Sequence, residues 1–165
     1  MIKKKICMIG AFAVGKTSLI QRYVNSIFSD KYHTTIGVKI DQKTMLVDQT
    51  EVQLLLWDIH GEDDYQKIKP AYLMGASGYF IVLDGTRSNT LEVAKVLQQM
   101  AADTIGDKPF IVLINKLDLI DEWEISEDTI QEMERKGWEI IRTSAKEDFG
   151  VEDAFVKITR KMMSA

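Results

Sequence analysis

The chain has 165 residues, 45% of them hydrophobic and 28% charged, with 21 Lys plus Arg against 25 Asp plus Glu and a formal net charge of −4. That length and apolar content suit one domain with a substantial core, and no stretch approaches the about 18 uninterrupted apolar residues that a bilayer span needs. The acidic balance leaves no Lys/Arg stripe to release counterions, which argues against a nucleic-acid surface, and the single cysteine, Cys7, excludes an intrachain disulfide and fits a reducing cytoplasm.

The chain opens on Ile2 to Ile9, an apolar strand carrying three lysines, within which Cys7 reads as a buried, inert thiol. Met1 to Val14 superficially has the basic, apolar and Ala-x-Ala parts of an export signal. Gly10 interrupts the apolar run, and cleavage after Ala13 would cut the adjoining loop, so export is not expected. That loop, Gly10-Ala11-Phe12-Ala13-Val14-Gly15-Lys16-Thr17, has the Gly-x4-Gly-Lys-Thr spacing of a P-loop. Gly10 and Gly15 permit a tight path, and successive backbone N–H groups form a concave anion nest. Lys16 supplies a cation for the β- and γ-phosphates, and the Thr17 hydroxyl can ligate Mg²⁺. Leu19, Ile20, Tyr23, Val24 and Ile27 then recur at helical spacing, so strand, glycine loop and helix come in the order the motif requires.

Strands are next predicted at Lys39 to Val47 and Val52 to Trp57, joined through Val47-Asp48-Gln49-Thr50-Glu51, which makes one edge strand antiparallel. Asp58-Ile59-His60-Gly61 comes directly after. Glu62-Asp63-Asp64 reads as a solvated acidic turn ahead of a helix from Tyr65 to Met74, because three successive residues cannot all face one ion. Tyr79 to Leu83 is the fourth strand, and Leu91 to Ala101 a helix with Val93, Val96, Leu97, Met100 and Ala101 on its core face. Phe110 to Ile114 leads into Asn115-Lys116-Leu117-Asp118, and Glu139 to Arg142 into Thr143-Ser144-Ala145-Lys146. Val151, Ala154, Phe155, Ile158 and Met162 mark the core face of a last helix; the absence of cysteine from Lys161 to Ala165 predicts no prenylation box and no lipidation site in the chain as given.

Strands alternating with helices predict a three-layer α/β domain over residues 1–165, its sheet six-stranded and mostly parallel with one antiparallel edge strand and helices on both faces. Ligands of such sheets bind at the carboxyl ends of the strands, and the loops after the first, third, fifth and sixth strands all end there. Asp118 carries the choice of base: a carboxylate accepts from guanine's ring N–H and exocyclic amine together, whereas adenine offers a lone pair at the ring position and repels it. Asn115 can tie neighbouring loops, Lys116 can lay its methylene stem on the base, and the Ala145 N–H can reach the base oxygen.

On these motifs the chain resembles the Ras superfamily of small GTPases, with Rab-like character, over residues 2 to 163. The resemblance implies a P-loop GTPase domain that binds GTP or GDP with Mg²⁺. It assigns the phosphates to Gly10, Ala13, Val14, Gly15, Lys16, Thr17 and Ser18, and the base to Asn115, Lys116, Asp118, Ser144, Ala145 and Lys146. Phe28 matches the family's aromatic against the guanine, with a core aromatic as the plainer reading. Within Thr34-Thr35-Ile36-Gly37-Val38, Thr35 matches the switch threonine that joins Thr17 at the metal; Asp58 matches the acid that holds Mg²⁺ through water, and Gly61 the N–H that meets the γ-phosphate. Lys16, Thr35, Gly61 and Glu62 are the residues placed at the hydrolysed bond. Ile40, Trp57 and Tyr72 match a hydrophobic patch through which Rab-like proteins meet effectors, and equally suit half-buried packing.

Three residues depart from that pattern. Glu62 stands where most of the family has the glutamine that orients the attacking water, and an ionised carboxylate accepts but cannot donate. Phe12 puts bulk where the family often has glycine, and His60 replaces a usually small residue; an exposed or packed role suits His60 and His33 better than a catalytic one. The expectation is a cytoplasmic GTP/GDP switch that hydrolyses GTP slowly. The alternatives are a GTP-loaded scaffold or pseudoGTPase, and a regulatory GTPase domain of a longer protein.

Overall fold

The computed structural model describes residues 1–26, 28, 37–60 and 68–165. Six strands, β1 (Ile2–Gly10), β2 (Val38–Val47), β3 (Thr50–Ile59), β4 (Gly78–Asp84), β5 (Phe110–Asn115) and β6 (Ile140–Arg142), form one sheet in the order β2-β3-β1-β4-β5-β6. All neighbours are parallel except β2 and β3, which the Asp48-Gln49 turn joins antiparallel. Both turn residues take left-handed backbone (φ 49° and 68°), the geometry of a two-residue hairpin whose twist matches its strands. The helices α1 (Lys16–Asn25), α2 (Asn89–Ile105), α3 (Glu127–Arg135) and α4 (Val151–Ser164) cover both faces.

Side-chain alternation along the parallel strands divides the interior into two cores. Met8, Leu54, Phe80 and Leu113 point to the α1 and α4 side, where they meet Leu19, Ile20, Val151, Phe155 and Ile158. Cys7, Ile9, Tyr79, Ile81 and Val112 point to the α2 and α3 side, against Leu91, Ala94, Leu97, Ile130 and Met133. Burial pushes the Cys7 thiol up to about 12, with Lys5 only partly opposing, so it stays protonated and inert as expected.

Two expectations from the sequence fail, each for a physical reason. Tyr65 to Lys67 lie outside the described residues, and the chain beyond them forms a short 3-10 turn at Pro70–Leu73 rather than the end of a helix reaching Met74. Pro70 disfavours helical backbone in the residue before it, and Lys69 is extended (φ −79°, ψ 122°). On α2, Val96 is 61% exposed, while the buried face runs through Leu91, Ala94, Leu97 and Ala101. Leu97 and Ala101 of the expected stripe are buried and Val93 and Met100 pack partly buried against the core, so Val96 alone of that stripe turns outward. The short α3 and the 3-10 segment Leu117–Glu122 have no counterpart among the predicted elements; α3 is mostly polar, with only Ile130 and Met133 buried.

The dense centre of the first core is Phe155, fully buried, stacked on Tyr23 at 3.9 Å between centroids and edge-on to Phe80 at 5.0 Å. It joins α1, α4 and the sheet. Phe155→Ala should cost about 3–5 kcal/mol of stability through lost burial and the cavity left behind, read as a lowered midpoint in urea unfolding.

Candidate functional site

β1 lies between β3 and β4, so the connections leave it in opposite directions and open a crevice at its carboxyl end. Gly10 sits beside Val82 of β4 so closely that a Cβ there would run into the Val82 carbonyl. The loop beyond it includes left-handed residues at Ala13 (φ 61°) and Gly15 (φ 103°), the backbone that builds an anion nest. Gly15 caps α1 without a side-chain bond, and no acidic residue occupies the first turn. The N–H groups and dipole of that helix end therefore favour an anion.

Lys16 is 6% exposed, with Nζ donating to the Gly10 and Ala11 carbonyls at 3.4 and 3.3 Å. Burial pushes its ammonium down to about 8, Asp58 opposing and Arg87 adding to the fall. A cation held this deep by two long carbonyl contacts is suited to a negatively charged ligand. Asp58, 1% exposed at the end of β3, accepts from Thr17 Oγ1 at 2.5 Å through Oδ2, while Oδ1 has no hydrogen-bond partner among the described residues. Burial raises its carboxyl above the usual range, with Thr17 and Lys16 opposing. A hydroxyl and an incompletely satisfied buried carboxylate are the hard oxygen donors that Mg²⁺ takes, so these residues fit the ion the resemblance implies.

The part of the crevice beyond β5, where the sequence places the base, is organised by Asn115, 3% exposed. Its Nδ2 donates to the Val14 carbonyl at 3.0 Å, and its Oδ1 accepts from Thr143 Oγ1 at 3.1 Å and the Ala145 N–H at 3.3 Å. The loops after β1, β5 and β6 are thereby tied through one side chain, as the sequence implied. Asp118 Oδ1 accepts from Ser144 Oγ at 2.7 Å, and the same oxygen of Ser144 accepts the Glu147 N–H at 3.0 Å. Lys116 is left-handed (φ 73°), its carbonyl fixed by Trp123 Nε1 at 2.8 Å and its Nζ paired with Asp84 at 2.8 Å. Lys146 is exposed and offers its carbonyl to Arg22 Nη2 at 2.8 Å, while Arg22 Nε donates to the Ala145 carbonyl at 2.7 Å.

Gly10, Ala13, Val14, Gly15, Lys16, Thr17, Ser18, Asp58, Asn115, Lys116, Asp118, Ser144, Ala145 and Lys146 thus lie at one end of the sheet, on the last residues of β1, β3 and β5, the first turn of α1 and the segments that follow β1, β5 and β6. Phe28 is half-buried and packs against the core on the α1 and α4 side. Thr35, Gly61 and Glu62 lie outside the described residues, as do His33, Asp63 and Asp64. His60 is hydrogen-bonded: Nδ1 accepts the Gly37 N–H at 2.7 Å and its own N–H donates to the Gly37 carbonyl at 3.3 Å. Among the expected effector positions, Ile40 is exposed and lies opposite Trp57 across the β2–β3 ladder, Lys5 Nζ stands 3.5 Å above the Trp57 ring, and Tyr72 is half-buried.

The carboxyl end of β4 holds a cluster that the motifs did not mark. Asp84, 1% exposed, pairs with Lys116 and Arg87 and accepts from the Thr86 N–H and hydroxyl. The signal was present: the carboxyl-end rule applies to the fourth strand as well, and Asp84-Gly85-Thr86-Arg87 terminates it. Trp123 and Arg22 had no such signal, since both act on backbone carbonyls, which residue types do not mark, and those bonded by Arg22 lie far along the chain.

The family model for the Ras family matches residues 5–164. The Ras-related protein Rab-32C of Dictyostelium discoideum is 36% identical over 169 aligned residues, covering 99% of this chain and 75% of that protein. The Ras-related protein Rab-21 of Geodia cydonium is 31% identical over 166, covering 99% and 72%, and the Ras-related protein RABA4a of Arabidopsis thaliana 32% over 162, covering 97% and 72%.

Asn115→Leu keeps the branched shape, with somewhat larger volume, and removes all three bonds. The Val14 carbonyl, the Thr143 hydroxyl and the Ala145 N–H would then be left buried without that partner, so stability should fall by roughly 2–4 kcal/mol in urea unfolding at matched nucleotide concentration.

Proposed function

Because the chain belongs to the Ras family, we propose that residues 1–165 form one G domain whose carboxyl-end crevice binds guanine nucleotide through the residues named above. The protein is a small GTPase, a GTP/GDP-binding switch that hydrolyses GTP to GDP and phosphate. The observation that carries the assignment of residues is the convergence at one sheet end of an uncapped helix N-terminus, a buried lysine and the Asn115 tie.

In this reading Asp118, oriented by Ser144, accepts from the two guanine donors, and Lys116, held by Asp84 and Trp123, lines the base. Lys16 and the N–H groups of residues 13–18 take the phosphates. Thr17 and Asp58, with Thr35, would hold Mg²⁺, which when bound neutralises phosphate charge. Water attacks the γ-phosphorus in line as the bond to the β–γ bridging oxygen breaks, GDP leaving and the proton of water passing to the phosphate released, while Lys16 and the Gly61 N–H face the phosphate oxygens. Loss of the γ-phosphate then removes the contacts of Thr35 and Gly61, the order–disorder transition for which Ras-type GTPases are the general example. Effectors and regulators of the family read such a transition, and here Ile40, Trp57 and Tyr72 form the surface proposed to meet them. Among the described residues no helix is long and apolar enough to cross a membrane, and a reducing cytoplasm suits the buried Cys7 thiol.

Guanine selectivity rests on Asp118. Asp118→Asn should weaken GDP binding and move preference to xanthine nucleotides, because xanthine's oxygen replaces the amine and suits an amide donor. Competition against a fluorescent GDP reads this directly; unchanged preference removes Asp118 from the base site.

The hydrolysis rate should be low, since Glu62 when ionised cannot donate to the γ-phosphate and the Phe12 ring, 38% exposed on the phosphate loop, crowds the approach. Single-turnover hydrolysis should quicken severalfold in Glu62→Gln and further when Phe12→Gly is added, with non-additive effects. A wild type slowed by Glu62→Gln would make Glu62 the working residue instead.

A further inference from the structure

Arg87 belongs to none of the motifs that hold the nucleotide, yet it is bonded to the phosphate loop and to the anchor of the base loop. Its Nε pairs with Asp84 Oδ2 at 3.2 Å, and its Nη2 donates to the Phe12 carbonyl at 2.5 Å. Asp84 is 1% exposed and fixed by the Thr86 N–H at 2.9 Å and hydroxyl at 2.7 Å, so the guanidinium leaves a rigid base. Although burial works against ionisation, Lys116 and Thr86 together hold the Asp84 carboxyl below its ordinary range. The pair is therefore charged on both sides, the condition for a strong, directional bond.

The consequence lies in the next peptide. The chain has no cis peptide among its described residues. In a planar trans peptide the carbonyl and the following N–H point in opposite directions. Drawing the Phe12 carbonyl to Arg87 turns the Ala13 N–H away from Arg87, and Ala13 holds the left-handed backbone (φ 61°) of the anion nest. The preceding carbonyls, Gly10 and Ala11, are drawn to Lys16. Two cations thus take three successive carbonyls of the loop, and the Ala13 N–H lies on the side of its peptide opposite Arg87.

We propose that Arg87 is a positioning residue that bridges Asp84 and the Phe12 carbonyl, fixes the Phe12–Ala13 peptide with its N–H toward the nucleotide phosphates, and thereby slows nucleotide release. This rests on the reading of residues 10–17 as the phosphate loop. The bridge needs a guanidinium, because Nε and Nη2 engage two acceptors at once from a rigid plane, whereas lysine presents one nitrogen.

The test is stopped-flow release of a fluorescent GDP from wild type, Arg87→Met and Arg87→Lys, in Mg²⁺ and in EDTA, with association measured in parallel. Arg87→Met should release GDP about tenfold faster in both conditions, the loss expected for one charge-assisted bond. Arg87→Lys should recover only part of that loss. A lesion confined to folding lowers the amount of protein that binds and leaves the single-exponential release rate of the bound fraction at the wild-type value, which overturns the bridge. Full recovery by lysine overturns it too, since charge alone would then suffice. Wild-type protein that retains no guanine nucleotide overturns the switch reading itself, an outcome distinct from wild-type retention with an unaltered rate in Arg87→Met.

Discussion

The geometry of the site depends on one buried carboxamide. A parallel sheet brings the ends of β1, β5 and β6 to the same edge, but strand ends alone do not set the course of the loops beyond them. Asn115 does, because its side chain donates to Val14 while accepting from Thr143 and Ala145. An aspartate could not donate at that position, and a glutamine would displace the same groups by a methylene. The tie also explains a glycine: a Cβ at Gly15 would strike Asn115 Nδ2, so the glycine-rich loop and the end of β5 are close enough that only the smallest residue fits between them.

Around that tie the charges are arranged to receive an anion. Lys16 lies too deep for an ammonium to be comfortable, the first turn of α1 has no acid to answer its dipole, and Arg87 adds a second cation at the rim of the same loop. Asp84 at the end of β4 pairs with Arg87, while Asp58 at the end of β3 accepts from Thr17 and favours the charged form of Lys16. Phosphate oxygens would complete an electrostatic balance that the protein leaves open on one side.

The departures from the family pattern also acquire physical content. Phe12 contributes a carbonyl to Arg87 as well as a ring to the rim. His60 is bonded to Gly37 at the start of β2 from the end of β3, so a residue that invites a catalytic reading serves to close the ladder. Nδ1 accepting that N–H places the imidazole proton on Nε2. Lys5 supports Trp57 from the neighbouring strand and bonds the Met74 carbonyl at 2.7 Å, coupling the proposed effector surface to β1.

Much of the fold and of the proposed site was legible in the chain itself, because the motifs are local. Gly10 to Thr17, Asp58 to Gly61, Asn115 to Asp118 and Thr143 to Lys146 each carry their residue types at short spacing, and alternating apolar runs fixed the strand count and the antiparallel edge. Periodicity failed where its assumption failed: at Pro70, whose ring constrains the residue before it, and on α2, where apolar Val96 faces out, away from the buried face through Leu91, Ala94, Leu97 and Ala101. Tertiary structure alone decided which residues support the motifs. Arg22, Asp84, Arg87 and Trp123 act through backbone carbonyls or through partners on other loops, from Phe12 to Lys146, and a carbonyl is the same in every residue. The local pattern names the groups proposed to meet the ligand, whereas the groups that hold them still are chosen by folding, which brings distant chain segments to within a hydrogen bond.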